Sequence, residues 1–205
     1  MNAARFTLVA LLLSGSLSLG ESVAGNWRHV DPAQSAAAPG SAEANSVIVI
    51  QDYADGLAGG CAAKPGVLAS VGRDPSISEE RVLLVDYPMP TGDPAGRDVQ
   101  CAARNHDWSA GHAIAFQVKP AHPVRLSVSF LDRNRVVYTT WTELKGDVWQ
   151  QVRIPFEEIR PNPFFQPPDA KTGAPLDVSD VKAIAFAPQD QASGHLAIGK
   201  FVVSR

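Results

Sequence analysis

Charge is sparse in this sequence. Asp, Glu, Lys and Arg make up 19% of the 205 residues, the formal net charge is −3, and no run of like charge occurs. A chain without a basic patch or a charged tail gives a nucleic acid nothing to bind. Long apolar runs are missing as well. The clearest one, residues 6–13, falls short of the roughly 20 residues that a membrane-crossing helix needs. Cysteine is limited to Cys61 and Cys101, too few and too far apart for a metal site. No long stretch has the helical period. Catalytic signatures are absent too. Ser109 stands in Trp-Ser-Ala-Gly rather than in a Gly-x-Ser-x-Gly elbow. The glycine-rich residues 56–60 lack the Lys-Ser/Thr and the following helix of a phosphate loop. Glu79-Glu80 and Glu157-Glu158 are adjacent pairs, and adjacent residues of an extended chain point apart, unlike a glycosidase couple. The five histidines, His29, His106, His112, His122 and His195, are scattered and read as solvated loop residues.

What is present begins with an export signal over residues 1–24. Arg5 gives a positive start and residues 6–13 an apolar run. Ser14, Gly15, Ser16 and Ser18 weaken it, and Ser22-Val23-Ala24 is a small-x-small cleavage site. No cysteine follows for lipid attachment, so the expectation is an exported protein, periplasmic or secreted, with no membrane span in the mature chain. In that compartment Cys61 and Cys101 are expected to form a disulfide, the alternative being two buried thiols. The bridge closes a loop of about 40 residues, for which chain entropy gives about 4 kcal/mol as an upper figure. Residues 25–45, rich in Ala, Ser and Pro with Trp27 as their one large side chain, read as a linker. Residues 46–205 form the domain.

The centre of that domain is residues 107–159. In 113–119, Ile114, Phe116 and Val118 alternate with Ala113, Ala115 and Gln117, the period of a strand with one buried face. In 124–131, Leu126, Val128 and Phe130 oppose Arg125, Ser127 and Ser129. Asp132-Arg133-Asn134-Arg135 is a hairpin loop in which Asn134 is suited to positive φ. Residues 136–142 and 148–154 are two further strands. The latter has Val148, Gln150, Val152 and Ile154 on one face. Pro155 then opens a single helical turn over 156–159. Strands are also expected at 47–51, 67–71, 81–87, 181–187 and 195–204, with a short run at 99–102. Residues 88–110 read as a long irregular loop. About nine strands at this spacing predict an all-β fold, a two-sheet antiparallel sandwich. Trp108 and Trp149 sit beside strand starts, where core or rim packing is expected of them, the alternative being stacking on sugar rings.

Several segments carry a resemblance: Asp52-Tyr53, Asp107-Trp108-Ser109, Gly146-Asp147-Val148-Trp149 leading to Val152-Arg153-Ile154-Pro155-Phe156, and Leu176-Asp177-Val178-Ser179-Asp180-Val181 before Ile184-Ala185-Phe186. Over residues 46–205 the layout resembles the galactose-binding-like jelly roll. More narrowly it is similar to family 11 carbohydrate-binding modules and to the complex I intermediate-associated protein 30 domain. The resemblance implies a non-catalytic module that binds a carbohydrate. The alternatives are an envelope protein that grips a protein partner and, more remotely, a small hydrolase. It also implies a structural calcium near both termini. The last strand lacks the family's aspartate, so Asp52 and Asp55 are weak candidates and no cofactor is expected.

The outward residues of the central strands are small or polar: Ala113, Ala115 and Gln117, then Arg125, Ser127 and Ser129, then Ala183 and Ala185. Side by side they would leave a shallow trough. Arg125 offers fixed donors, and Tyr138 or Trp141 offers a flat apolar face. These two have opposite parity on one strand, so only one can face the trough. Tyr87 and the Phe164-Phe165 loop are placed at the rim. The candidate ligand-binding residues are therefore Arg125, Tyr138, Trp141, Tyr87 and Gln117, and no residue is assigned a catalytic role.

Overall fold

Period-two alternation builds nearly every element. The computed structural model describes residues 46–74, 76–77, 81–90, 94–190 and 192–205, and the export segment, the linker and Glu79-Glu80 lie outside the described residues. Twelve strands follow in order: β1 (Ser46–Gln51), β2 (Cys61–Ala63), β3 (Leu68–Arg73), β4 (Arg81–Tyr87), β5 (Val99–Ala102), β6 (Ala113–Pro120), β7 (Val124–Asp132), β8 (Val137–Leu144), β9 (Gln150–Pro155), β10 (Arg160–Pro161), β11 (Val181–Pro188) and β12 (Gly194–Ser204). They form two six-stranded sheets. The first runs β3-β4-β12-β6-β9, with β1 also on β12, and the second runs β10-β8-β7-β11-β5-β2. Every pairing is antiparallel. The domain is the expected all-β sandwich.

The two inner faces close on one core. β6 contributes Ile114, Phe116 and Val118. β7 contributes Leu126, Val128 and Phe130, and β11 contributes Ile184 and Phe186, all buried as their alternation predicts. Phe116 and Phe201 of the first sheet stack with centroids 4.7 Å apart. Phe186 of the second meets them edge-on at 5.7 and 5.4 Å. A buried phenylalanine contributes about 1.5–3 kcal/mol, and each well-placed aromatic pair adds about 0.5–1.5 kcal/mol. This triplet thus fixes how the sheets face each other. Trp108 closes one end of the core with no exposure, edge-on to Phe130 at 6.0 Å, and its indole N–H donates to the Asn105 carbonyl at 2.7 Å. Trp149 is half-buried, and its N–H donates to Ser76 Oγ at 2.9 Å.

The short elements depart from expectation. β2 and β10 have only three and two residues, too few to show a period. β9 starts at Gln150, and Val148 before it is exposed. Pro120 ends β6 inside the ladder, opposite Leu196, a terminal position where the missing N–H does little harm. In the β7–β8 turn the left-handed residue is Arg135, at φ 60°, and not Asn134. The cause is Asp132, whose Oδ1 accepts from Asn134 N at 2.9 Å and Val136 N at 3.1 Å and so folds the chain one residue later. The loops use a recurrent Asp-x-Ser device. Ser109 donates through N and Oγ to Asp107 Oδ1, and Ser179 does the same to Asp177. These bonds stabilise the carboxylates and hold both acids below the ordinary carboxylate range. Cys61 and Cys101 lie directly opposite each other on β2 and β5 and are joined by a disulfide.

Candidate functional site

The outer face of the second sheet carries Arg125 and Trp141, two of the candidate residues. The β7–β8 hairpin sets its register: Arg125 opposite Glu143, Ser127 opposite Trp141, Ser129 opposite Thr139. Across β11 the rows continue with Ala187 beside Ser127, Ala185 beside Ser129 and Ala183 beside Leu131. β5 adds Gln100 and Ala102, and β10 places Arg160 opposite Thr139. The floor is therefore alanine and hydroxyl, with Trp141 rising at one side. The Arg125 guanidinium lies 5.4 Å from the Trp141 ring centroid and its Nε 3.5 Å from Glu143 Oε1. Both ion-pair partners are half-exposed, so the pair adds about 0–1 kcal/mol, and the cation–π contact about 0.5–1 kcal/mol. Together they hold Arg125 against Trp141. Ser129 and Thr139 share a hydrogen bond of 2.9 Å, and Asn162 Nδ2 donates to Thr139 Oγ1 at 3.0 Å. Thr139 itself is buried, so the half-buried Ser129 and Asn162 are the directed polar groups this row offers beside a flat apolar ring, the pair of contacts that a sugar's hydroxyls and C–H faces take up.

The five candidate residues do not converge. Arg125 and Trp141 do. Parity is resolved in favour of Trp141, because Tyr138 opposes Phe130 on the inner face with 0% exposure. Its hydroxyl donates to the Ala174 and Pro175 carbonyls at 3.0 Å, and burial, with Asp132 and Asp177 nearby, pushes its pKa up to about 12. Gln117 stands opposite Gln151 on the outer face of the first sheet, on the far side of the molecule, together with Ala113 and Ala115. The predicted trough thus splits between two opposite faces, because β6 and β7, neighbours in sequence, belong to different sheets. Tyr87 points into the core at one end of the sandwich and is not on the rim. Residues Glu143, Thr139 and Asn162 escaped the sequence reading. The signal that could have found the first two is parity, since residues 139, 141 and 143 share one side of β8.

Tyr87 belongs to a different arrangement. Arg97, 3% exposed, reaches into the end of the sandwich with its guanidinium 5.3 Å from the Tyr87 ring centroid. It donates to the carbonyls of Pro88 at 3.2 Å, Ala192 at 2.7 Å and Pro188 at 3.2 Å, and also to the Asp190 carbonyl. Asp190 Oδ1 lies 3.3 Å away, and His122 Nε2 lies 2.6 Å from Asp190 Oδ2. Gly194 is required here, since a Cβ would collide with the Tyr87 hydroxyl and the His122 ring. Burial beside Asp190 pushes the Tyr87 hydroxyl well above the ordinary phenol range. This cluster ties Pro88 and Arg97 to the β11–β12 turn.

Asp52 and Asp55 both face Arg104, whose NH1 lies 3.2 Å from Asp52 Oδ1 and whose NH2 bonds Asp55 Oδ2. The Arg104 guanidinium thus bridges the two carboxylates. An open depression beside them is lined by Ile48, Val49 and residues 104–107. His106, His122 and His195 each pair with one aspartate, at 3.3, 2.6 and 2.8 Å. Among the described residues no three His, Cys, Asp or Glu side chains converge on a metal position. Ser109 Oγ is engaged with Asp107, and Glu157 and Glu158 are exposed in their turn.

The sequence pattern of the carbohydrate binding domain (family 11) matches residues 91–201, more than half of the chain. No curated protein matches the sequence. Among solved structures, a family 11 carbohydrate-binding module from Clostridium thermocellum, in complex with a beta-1,3-1,4-mixed-linked tetrasaccharide, superposes with a TM-score of 0.59 at 20% identity, covering 76% of this chain and 95% of that one. A family 30 module of a cellulosomal cellulase from the same organism gives 0.52 at 15% identity, over 77% and 98% of the two chains. An exo-beta-agarase gives 0.57 at 12% identity, over 78% of this chain and 25% of that one.

Proposed function

The chain belongs to the family 11 carbohydrate-binding domains, and we propose that it holds an extended β-linked glucan against the outer face of its second sheet, centred on Trp141 and Arg125. It is a non-catalytic module, so affinity and selectivity are what the site has to supply. The observation that carries the proposal is the packing of the Arg125 guanidinium against Trp141 above a floor of serine, threonine and alanine. The ring takes a sugar's C–H face. Arg125 and Glu143, both exposed, supply donors and acceptors for its hydroxyls, and the alanines let the chain lie close. The mixed-linked tetrasaccharide held by one structural neighbour makes mixed-linked β-glucan the first ligand to try.

The test is affinity electrophoresis through a panel of soluble polysaccharides with mixed-linked β-glucan among them, together with pull-down on insoluble ones. Trp141→Ala is expected to weaken binding at least about tenfold, or about 1.4 kcal/mol, and Arg125→Ala to weaken it less. Arg125 is exposed and Trp141 is half-buried on the outer face, outside the core between the sheets, so both variants should fold. Equal retardation of both variants and the parent would overturn the assignment. On this reading the module needs no calcium, because Arg104 stands between Asp52 and Asp55. Added calcium should leave the melting temperature unchanged, and a rise abolished by Asp52→Ala would contradict that. Export to an oxidising compartment fits the Cys61–Cys101 bond. No helix among the described residues is long and apolar enough to cross a membrane.

A further inference from the structure

Phe116, Phe130, Phe186 and Phe201 are at most 1% exposed, whereas Phe164 and Phe165 are 84% and 62% exposed. One exposed apolar side chain needs no explanation, but two adjacent aromatic rings held outward on a braced loop do. The bracing is extensive. Asn162 N donates to the Val137 carbonyl at 2.7 Å, and Asn162 Oδ1 accepts from Phe164 N at 2.8 Å and Phe165 N at 3.1 Å. Gln166 clamps the other side. Its Oε1 accepts from Val137 N at 3.0 Å, and its Nε2 donates to the Val137 and Asn162 carbonyls at 2.7 and 3.0 Å. Pro161, Pro163, Pro167 and Pro168 restrict the backbone further. The ordering entropy of presenting the rings is thus already spent in the free protein, as in a preorganised binding surface.

The same loop is bonded to the face proposed to hold the glycan. Asn162 Nδ2 donates to Thr139 Oγ1, which shares a hydrogen bond with Ser129. β10 runs antiparallel to β8, with Arg160 opposite Thr139 and Pro161 opposite Tyr138, so Phe164 and Phe165 leave the sheet beyond Val137. From Trp141 to Val137 is four residues of strand, roughly 13 Å at the usual rise. Aromatic surface therefore lies toward both ends of a line along β8, with the Thr139 and Ser129 hydroxyls between. Two of the nearby cations are matched by carboxylates: Arg135 pairs with Asp169 at 2.8 Å and Arg133 with Asp177 at 2.7 Å. The Arg160 guanidinium keeps its charge but is turned back onto the Glu157 and Ile159 carbonyls, so the loop presents aromatic surface more than the clustered basic charge that an anionic lipid surface attracts.

We propose that Phe164 and Phe165 form a distal subsite for long, unbranched glycan chains, stacking on sugar rings beyond those held at Trp141. The proposal rests on the reading that the outer face of the second sheet holds glycan. Phenyl rings offer C–H faces an apolar surface and no directed hydrogen bond, so this subsite reads chain length rather than sugar identity.

The test is calorimetric titration of the parent and of a Phe164→Ala/Phe165→Ala double variant with mixed-linked β-1,3-1,4-oligosaccharides, from trisaccharide to hexasaccharide, and with the polymer. Thermal melting checks each protein's folding. In the parent, affinity should climb with length. In the double variant the climb should flatten, with about a tenfold loss on the longest ligands and no loss on the shortest. A double variant that matches the parent at every length overturns the subsite while leaving the Trp141 site standing. A parent that binds none of the ligands overturns the underlying reading and the subsite with it. A parallel arm uses vesicles of mixed neutral and anionic phospholipid. Sedimentation of the parent, lost in the double variant, would reassign the pair to a membrane surface and overturn the subsite.

Discussion

Replacing Arg97 with methionine removes a guanidinium that is 3% exposed and leaves its partners in place. Four backbone carbonyls, of Pro88, Pro188, Asp190 and Ala192, lose a charged donor. Asp190, whose side chain is 17% exposed, keeps only His122 and the distant Tyr87 hydroxyl. A hydrogen bond to a charged group contributes about 1.5–3 kcal/mol, and loss of one partner of a buried pair costs about 3–5 kcal/mol. The carbonyls share one donor group, so these figures overlap, and the larger one, about 3–5 kcal/mol, is the expected loss. Against a total stability of about 5–15 kcal/mol this is a large fraction. In urea, with a slope of about 1–3 kcal/mol per molar, the unfolding midpoint should fall by roughly 2 M. Arg97→Lys keeps the charge but not the planar fork that spans several carbonyls, and should fall between. A midpoint shift below about 0.5 M for the methionine variant would refute the idea that Arg97 pins Pro88 and its own segment to the β11–β12 turn.

Three further outcomes are expected. Reduction of the Cys61–Cys101 bond should slow the protein on a non-reducing gel once thiols are blocked, and should lower stability by at most about 4 kcal/mol; identical mobility would mean that no bond had formed. Tyr138→Phe should cost about 0.5–1.5 kcal/mol in a denaturation assay, because the Ala174 and Pro175 carbonyls lose their donor, yet glycan affinity should not change; a change would put Tyr138 back in the site. Asp107 and Asp177 are held low chiefly by the Ser109 and Ser179 hydroxyls. A carboxyl depressed in the folded state adds stability above its unfolded pKa and loses it as pH falls through the folded one. A carboxyl-detected NMR titration should therefore find Asp177 titrating below the ordinary range and moving back up in Ser179→Ala; no movement would refute the turn as the cause.

The core was legible because long strands repeat one signal many times. Ile114, Phe116, Leu126, Val128, Phe130, Ile184 and Phe186 all face inward as alternation requires. The site was half legible for a physical reason. Parity tells which side of its own strand a residue occupies, but not which sheet the strand joins. Gln117 and Arg125 were both correctly read as outward, yet β6 and β7 lie in different sheets, so the two are on opposite faces. Trp141 and Tyr138 needed the hairpin register, which the Asp132 carboxylate sets through Asn134 and Val136. Arg97 was invisible because most of its partners are backbone carbonyls, three of them from a segment more than 90 residues away in sequence, and carbonyls have no signature in side-chain type. β2 and β10 were too short to show a period.

The central claim is that a glycan lies on the outer face of the second sheet. Two-dimensional 1H–15N NMR of the labelled module, titrated with a mixed-linked β-1,3-1,4-tetrasaccharide, tests it most directly. The account predicts shifts concentrated at the Trp141 indole N–H and at the amides of Ser127, Ser129, Thr139 and Ala185, with Ala115, Gln117 and Arg153 on the opposite face unmoved. Shifts concentrated at Ala115, Gln117 and Arg153, or in the 104–107 depression, with the Trp141 indole unmoved, would contradict it.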